Sequence, residues 1–220
     1  MTLSTIKLDT GSNPIVSIIW MHGLGADGND FVPIVKELDL NGCPAIRFVF
    51  PNAPHIPVSV NGGVVMPAWY DIRSADIVNR EDEAGLRASQ AAIEELIQIE
   101  HTNGAKKIIL AGFSQGCAMT LQAGLRQTTP LAGLLCLSGY LPLHQSIEKE
   151  RHSSSQNIPI FMAHGTADPV IPIARAQHSR DALTQLGYHI EWHQYNMPHS
   201  VCIEEIIDIG HWLKKIIGNS

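Results

Sequence analysis

The 220-residue sequence has no cluster of basic residues and no long apolar run. Lys and Arg number 15 against 21 Asp and Glu, which gives a formal net charge of −6. Nucleic-acid-binding proteins carry clustered basic side chains, so we expect no nucleic-acid partner. The uncharged apolar runs are far shorter than the roughly 20 residues of a membrane-spanning helix. We therefore expect peripheral membrane contact at most.

Cysteine is also sparse. The four cysteines are scattered, without a C-x-x-C pair, at Cys43, Cys117, Cys136 and Cys202. Three of them lie in apolar runs, which predicts buried free thiols in a reducing compartment. Residues 1–7 show no charged segment followed by an apolar stretch, so no secretory signal is predicted. The expected location is the cytoplasm.

Metal-binding patterns are missing despite 11 histidines. There is no H-E-x-x-H, and His189 and His193 would lie about 13 Å apart on one predicted strand, too far to share an ion. We expect neither a metal nor a cofactor.

Short apolar runs alternate with helical patterns along the whole chain. Strands are predicted over 15–20, 45–50, 107–111, 131–137, 158–163 and 189–195, and helices over 30–38, 80–100, 114–127, 174–186 and 203–217. Alternating strands and helices indicate a mostly parallel sheet with helices on both faces. With no linker or repeat, residues 1–220 are predicted to form a single α/β domain.

Residues 51–78 interrupt this alternation. They are rich in Pro, Gly and Asn and contain Trp69, Tyr70 and Asp71. A loop of this length in a compact domain is usually functional or disordered, and the aromatic residues argue against disorder. We interpret it as a flap beside an active site; the alternative is an excursion packed on the sheet edge.

Residues Gly112-Phe113-Ser114-Gln115-Gly116 match G-x-S-x-G between a predicted strand and a predicted helix. This pattern places a nucleophilic serine on a sharp turn, where side chains at the glycine positions would collide with the neighbouring backbone. The same turn directs the Gln115 backbone N–H at a forming oxyanion.

A serine nucleophile needs a base held by an acid, and in this fold the acid and then the histidine follow the serine. Asp168 lies just past a predicted strand end, whereas Asp181 lies inside a predicted helix and is interpreted as a surface charge. Of the histidines after Asp168, His199 alone lies in the loop after the last strand. The alternative for Asp168 is a turn residue before Pro169.

The glycine-rich segment 22–28 directly follows the first predicted strand. A second oxyanion N–H comes from such a loop, and Leu24 is the expected donor. A phosphate-binding loop is the alternative, but no G-x-G-x-x-G or Walker pattern is present.

These motifs resemble the bacterial carboxylesterase and acyl-protein thioesterase family, the phospholipase/carboxylesterase group of α/β-hydrolases. The resemblance covers nearly the whole chain and rests on segments 22–26, 51–54, 68–71, 112–116, 168–172 and 199–201. It implies the α/β-hydrolase fold, a Ser114, Asp168 and His199 triad, an oxyanion hole from Leu24 and Gln115, and an acyl groove lined partly by Trp69. Cys117 and Pro198 stand where the family often has glycine, which bears on groove shape.

The expected activity is hydrolysis of carboxylic esters or acyl thioesters through an acyl-enzyme on Ser114. The expected substrate is a small acyl ester or thioester. Two alternatives have the same chemistry: a depalmitoylase that acts on an acylated protein, and a lysophospholipase that acts on a lysophospholipid. A homodimer is left open. An inactive binding module on the same fold is the alternative from a different class, and the complete Ser, Asp and His set argues against it.

Overall fold

The computed structural model describes residues 2–73 and 81–218. The strands are β1 (Thr5–Asp9), β2 (Val16–Met21), β3 (Ile46–Pro51), β4 (His55–Val58), β5 (Val64–Pro67), β6 (Lys107–Phe113), β7 (Gly133–Leu137), β8 (Ile160–Gly165) and β9 (Ile190–Tyr195). The helices are α1 (Ile34–Glu37), α2 (Glu83–Thr102), α3 (Gln115–Gly124), α4 (His144–Glu150), α5 (Ile173–Gln185) and α6 (Ile203–Gly218).

A seven-stranded sheet runs in the order β1-β3-β2-β6-β7-β8-β9. β1 pairs antiparallel with β3, and all the other pairs are parallel, which confirms the predicted sheet. Its central strands are buried along their whole length because helices cover both faces. Within the described residues, no helix is long and apolar enough to cross a membrane.

Two apolar layers hold the helices to the sheet. One layer joins α2, α3, α4 and α5 to one face, and the other joins α1 and α6 to the opposite face. The four α2 residues predicted to face the core are buried: Leu86, Ile93, Leu96 and Ile97. Because the parallel strands all end at the same edge, the loops after β2, β6, β8 and β9 meet there.

Four elements differ from the sequence prediction, among them α4, which was not predicted. The helix expected over 30–38 is confined to α1, because Pro33 has no N–H and the preceding residues form successive turns instead. β1 was not predicted, although its alternating pattern suits an edge strand. The predicted flap over 51–78 contains a hairpin of β4 and β5; its residues 74–78, and the predicted helix start at Arg80, lie outside the described residues.

Glu205, in the first turn of α6, is a fully buried carboxyl. Burial raises its pKa to about 8, Asp208 adds to this rise, and the backbone N–H interaction with Cys202 opposes it. The folded state therefore holds the Glu205 proton more tightly than the unfolded chain, whose carboxyl titrates near 4.5.

We expect the contribution of Glu205 to the free energy of unfolding to be lost as the pH rises from 4.5 through 8. Below the pKa of the unfolded chain, protonated Glu205 contributes its full stabilisation of the folded state. The rise of the Glu205 pKa on folding corresponds to a loss on the order of a few kcal/mol in the free energy of unfolding at high pH. Urea unfolding at pH 5, 7 and 8.5 measures it. Glu205→Gln should flatten this part of the pH dependence, while Glu204→Gln at the exposed neighbouring position should not; equal slopes for both variants would contradict the assignment.

Candidate active site

Ser114 lies at the turn between β6 and α3 with φ +56°. A Cβ at Gly112 would overlap the backbone of Gly116, and a Cβ at Gly116 would overlap the Met21 carbonyl. Both positions therefore require glycine, because the turn brings the main chain too close for any side chain. The Ser114 N–H donates to the Leu137 carbonyl at 2.9 Å, which ties the turn to β7.

Asp168 and His199 form a close carboxylate–imidazole pair. The Asp168 side chain is fully buried, and its Oδ1 accepts the Val170 and Ile171 N–H groups at 2.8 and 2.9 Å. Its Oδ2 lies 2.6 Å from His199 Nδ1. An ionised carboxylate only accepts, so Nδ1 carries the hydrogen and Nε2 is free to act as a base. His199 and Ser114 line the same cavity.

The loop that carries Asp168 is joined to the loop that carries His199. The Thr166 N–H donates to the Tyr195 carbonyl at 2.8 Å, and the Ala167 N–H donates to the Met197 carbonyl at 3.2 Å. A Cβ at Gly165 would overlap the Met197 carbonyl. Glycine at this position thus permits the two loops to touch, and their hydrogen bonds fix the acid relative to the base.

The loop after β2 is braced by His22. The Ala53 N–H donates to His22 Nε2 at 3.1 Å, so the ring hydrogen is on Nδ1, which donates to the Gly23 carbonyl at 2.7 Å. Burial lowers the pKa of His22, which favours this neutral form. Leu24, next in the loop, lines the cavity beside Ser114. Gln115 begins α3, where backbone N–H groups have no partner within the helix.

The cavity that contains Ser114 and His199 has a volume of about 330 Å³. Its walls are mainly apolar and include Leu24, Ile72, Phe113, Tyr140, Val170 and Ile171. Sequence reasoning did not identify Tyr70, Ile72, Tyr140 or Val170 as wall residues. A larger depression of about 710 Å³, lined by residues 10–11 and 35–46, contains none of the predicted catalytic side chains.

Trp69 is not among the residues that line the cavity, so the structure does not support the prediction that it lines the acyl groove. Its side chain is 1% exposed, and its indole N–H donates to the His22 carbonyl at 2.9 Å. Its backbone N–H donates to Gln115 Oε1 at 3.0 Å, and its carbonyl accepts the Ser89 hydroxyl. Trp69 is thus an anchor for the loop, and the next residue, Tyr70, reaches the cavity.

Tyr70 and Tyr140 close one part of the cavity as a pair. Their hydroxyl oxygens lie 2.8 Å apart, and the Arg175 guanidinium stacks 3.8 Å from the Tyr140 ring centroid. Burial raises the pKa of Tyr140 to about 12 and raises that of Tyr70 as well, so both hydroxyls stay neutral. One hydroxyl donates to the other, and both residues line the cavity.

We expect Trp69→Phe to lower stability without changing acyl-chain preference. The variant keeps most of the buried area but removes the indole donor to His22, a loss of about 1–3 kcal/mol. Turnover efficiency on acetate, butyrate and octanoate esters should change by one common factor, and thermal unfolding should report the loss of stability.

Ile72→Ala is the matched comparison, since Ile72 does line the cavity. It should reduce turnover of octanoate more than turnover of acetate. The opposite result would be a larger loss on octanoate than on acetate for Trp69→Phe and an equal loss on both for Ile72→Ala. Trp69 rather than Ile72 would then contact the acyl chain, and the anchoring role of Trp69 would be wrong.

The chain is similar to known proteins over nearly its whole length. The family model described as Phospholipase/Carboxylesterase matches residues 10–217. The acyl-protein thioesterase 1 of Yarrowia lipolytica is 39% identical over 219 residues, with 96% of each chain covered. That of Mycosarcoma maydis is 38% identical, with 94% of each covered. Among solved structures, Zea mays acyl-protein thioesterase 2 aligns with a TM-score of 0.88 at 28% identity, over 98% of this chain and 99% of that one.

These relatives come from fungi and a plant, so the restriction to bacteria in the expected resemblance is unnecessary. Arabidopsis thaliana SOBER1 also aligns, with a TM-score of 0.86 and 29% identity, over 91% of this chain and 98% of that one. The comparisons cover the segments that carry the predicted serine, acid and histidine.

Proposed function

Since the chain belongs to the phospholipase/carboxylesterase family of α/β-hydrolases and is a serine hydrolase, we propose that Ser114, Asp168 and His199 are its catalytic triad. The observation that carries this proposal is the 2.6 Å pair of Asp168 and His199, whose imidazole shares one cavity with Ser114. Serine, histidine and acid in this arrangement are the parts of an acyl-transfer site.

In the first half of the reaction, His199 Nε2 takes the Ser114 proton as Ser114 Oγ attacks the acyl carbon. The backbone N–H groups of Leu24 and Gln115 stabilise the negative charge that develops on the carbonyl oxygen. The tetrahedral intermediate then collapses, the bond to the leaving group breaks, and His199 returns the proton to the departing thiolate or alkoxide. Asp168 remains ionised and stabilises the imidazolium between these steps.

In the second half, water takes the place of the leaving group. His199 removes a proton from the water, whose oxygen attacks the acyl carbon of the Ser114 ester. As the bond between the acyl carbon and Ser114 Oγ breaks, His199 returns its proton to Oγ, and the carboxylic acid is released.

The proposed substrate is an acyl thioester carried by a protein. Two observations support it: the cavity beside Ser114 is mainly apolar, as an acyl chain requires, and the fungal relatives are named acyl-protein thioesterases. A cytoplasmic location is proposed with it, and is supported by the free thiols at Cys43, Cys117, Cys136 and Cys202.

The test is hydrolysis of one cysteine peptide S-acylated with acetyl, butanoyl or octanoyl groups, beside the matching serine O-esters. Turnover efficiency should rise with chain length by up to about fourfold per buried CH₂, since each is worth about 0.8 kcal/mol. The octanoyl thioester should also protect Ser114 from a fluorophosphonate probe. Preference for acetyl throughout would overturn the proposed substrate class and leave the triad standing.

A further inference from the structure

His164, the penultimate residue of β8, is a buried histidine that the proposed mechanism does not use. Its side chain is fully buried, with Nε2 2.7 Å from the Ile171 carbonyl oxygen and 3.3 Å from Asp168 Oδ2. Both neighbouring atoms only accept, so Nε2 carries the ring hydrogen. Burial lowers the pKa of His164, which favours the neutral ring.

The other ring nitrogen of His164 argues against a role in packing alone. Within residues 2–73 and 81–218, Nδ1 is buried and has no hydrogen-bond partner. A buried acceptor without a donor costs free energy that an apolar side chain of similar size would avoid. The presence of histidine at this position is therefore explained by the contacts of its Nε2–H group with the Ile171 carbonyl and Asp168.

That N–H closes the turn that binds the acid. The Ile171 N–H donates to Asp168 Oδ1, and the Ile171 carbonyl accepts from His164. Val170 supplies a second N–H to Oδ1. His164 thus holds the turn whose amides fix one carboxylate oxygen, while its own N–H edge faces the other oxygen, which bonds His199.

We propose that His164 is a positioning residue that fixes the Asp168 carboxylate in the orientation that holds His199. The inference rests on the proposed triad, since it assigns His164 no role apart from Asp168. Without the His164 donor, the turn at 168–171 loses a hydrogen bond and the carboxylate loses the positive edge beside Oδ2. The imidazole of His199 is then less well oriented toward Ser114.

The test compares His164→Gln with His164→Asn. The Gln amide nitrogen is as many bonds from Cβ as imidazole Nε2 and can reach the Ile171 carbonyl, whereas the Asn amide is one bond too short. Each of the two His164 variants is made in the wild-type protein and in Asp168→Ala. Turnover is measured at saturating thioester, and circular dichroism checks that each variant is folded. Tyr188→Phe, which removes the buried hydrogen bond to Ser155 on the same face of the sheet, controls for loss of stability.

His164→Asn should lower turnover about tenfold, the loss expected for one hydrogen bond in a charged network, and His164→Gln should recover most of it. In the Asp168→Ala background, neither variant should change the residual turnover, because the group they position is gone. Tyr188→Phe should leave turnover unchanged. His164→Phe, which keeps the ring volume, replaces His164→Asn if that variant does not fold.

An equal loss with and without Asp168, or a folded His164→Gln as impaired as His164→Asn, would overturn the positioning role. A different result would contradict the proposed triad itself. In that case Asp168→Ala alone would keep near wild-type turnover, regardless of the turnover of the His164 variants.

Discussion

Ser114→Ala is expected to lower the turnover number by about 10⁴-fold or more, because the nucleophile and the acyl-enzyme are both lost. The variant should fold normally: Ser114 is held in its turn by its backbone N–H, which alanine retains, and by the glycines on either side. Turnover of a thioester is measured together with mass spectrometry of the fluorophosphonate adduct, which should lie on Ser114 in the wild-type protein.

Ser138→Ala is the matched control. Ser138 is buried at the end of β7 with φ +48°, but it does not line the cavity. Ser138→Ala should hydrolyse the thioester at the wild-type rate and should be labelled by the fluorophosphonate probe to the same extent as the wild-type protein. Near-normal turnover by Ser114→Ala, or an adduct on another residue, would remove Ser114 from the role of nucleophile.

Asp168→Asn is expected to lower turnover by about 10⁴-fold with little change in substrate affinity. The Asn side chain has nearly the same shape, but its amide can present a donor to His199 Nδ1. The imidazole would then carry its hydrogen on Nε2, where it cannot take the Ser114 proton. Steady-state kinetics should place the loss in kcat.

Asp181→Asn tests the alternative acid. The Asp181 side chain is 57% exposed and pairs with Arg180, so its loss should be nearly neutral. If Asp181→Asn were the damaging change and Asp168→Asn were not, the acid would have been assigned to the wrong loop.

The sequence was sufficient for the parallel strands of the sheet, though not for the edge strand β1, because the signals of the parallel strands are local. Near-continuous apolar runs indicated the parallel strands, and G-x-S-x-G between a strand and a helix indicated the turn at Ser114. Chain order and strand ends then led to Asp168 and His199, which the structure brings within 2.6 Å of each other.

The residues that line the cavity could not be predicted, because tertiary contacts determine them. Trp69 and Tyr70 are adjacent aromatic residues, and no pattern distinguishes the one that bonds to His22 from the one that reaches the cavity. Ile72 and Tyr140 come together from distant segments. No sequence pattern singled out His164, because its role depends on the Ile171 carbonyl that folds back onto it.

Gln115 has a consequence for anyone who wishes to change the substrate range of this enzyme. Its side-chain amide holds the backbone of Trp69 and Tyr70, while its own main-chain N–H is the proposed oxyanion donor. A substitution at Tyr70 that shifts this backbone therefore disturbs the proposed oxyanion donor together with the cavity wall. Ile72 lines the same cavity without these bonds to Gln115, so it is the better position for a library in which selectivity is to vary at constant catalytic power. Val170 also lines the cavity, but its backbone N–H binds Asp168.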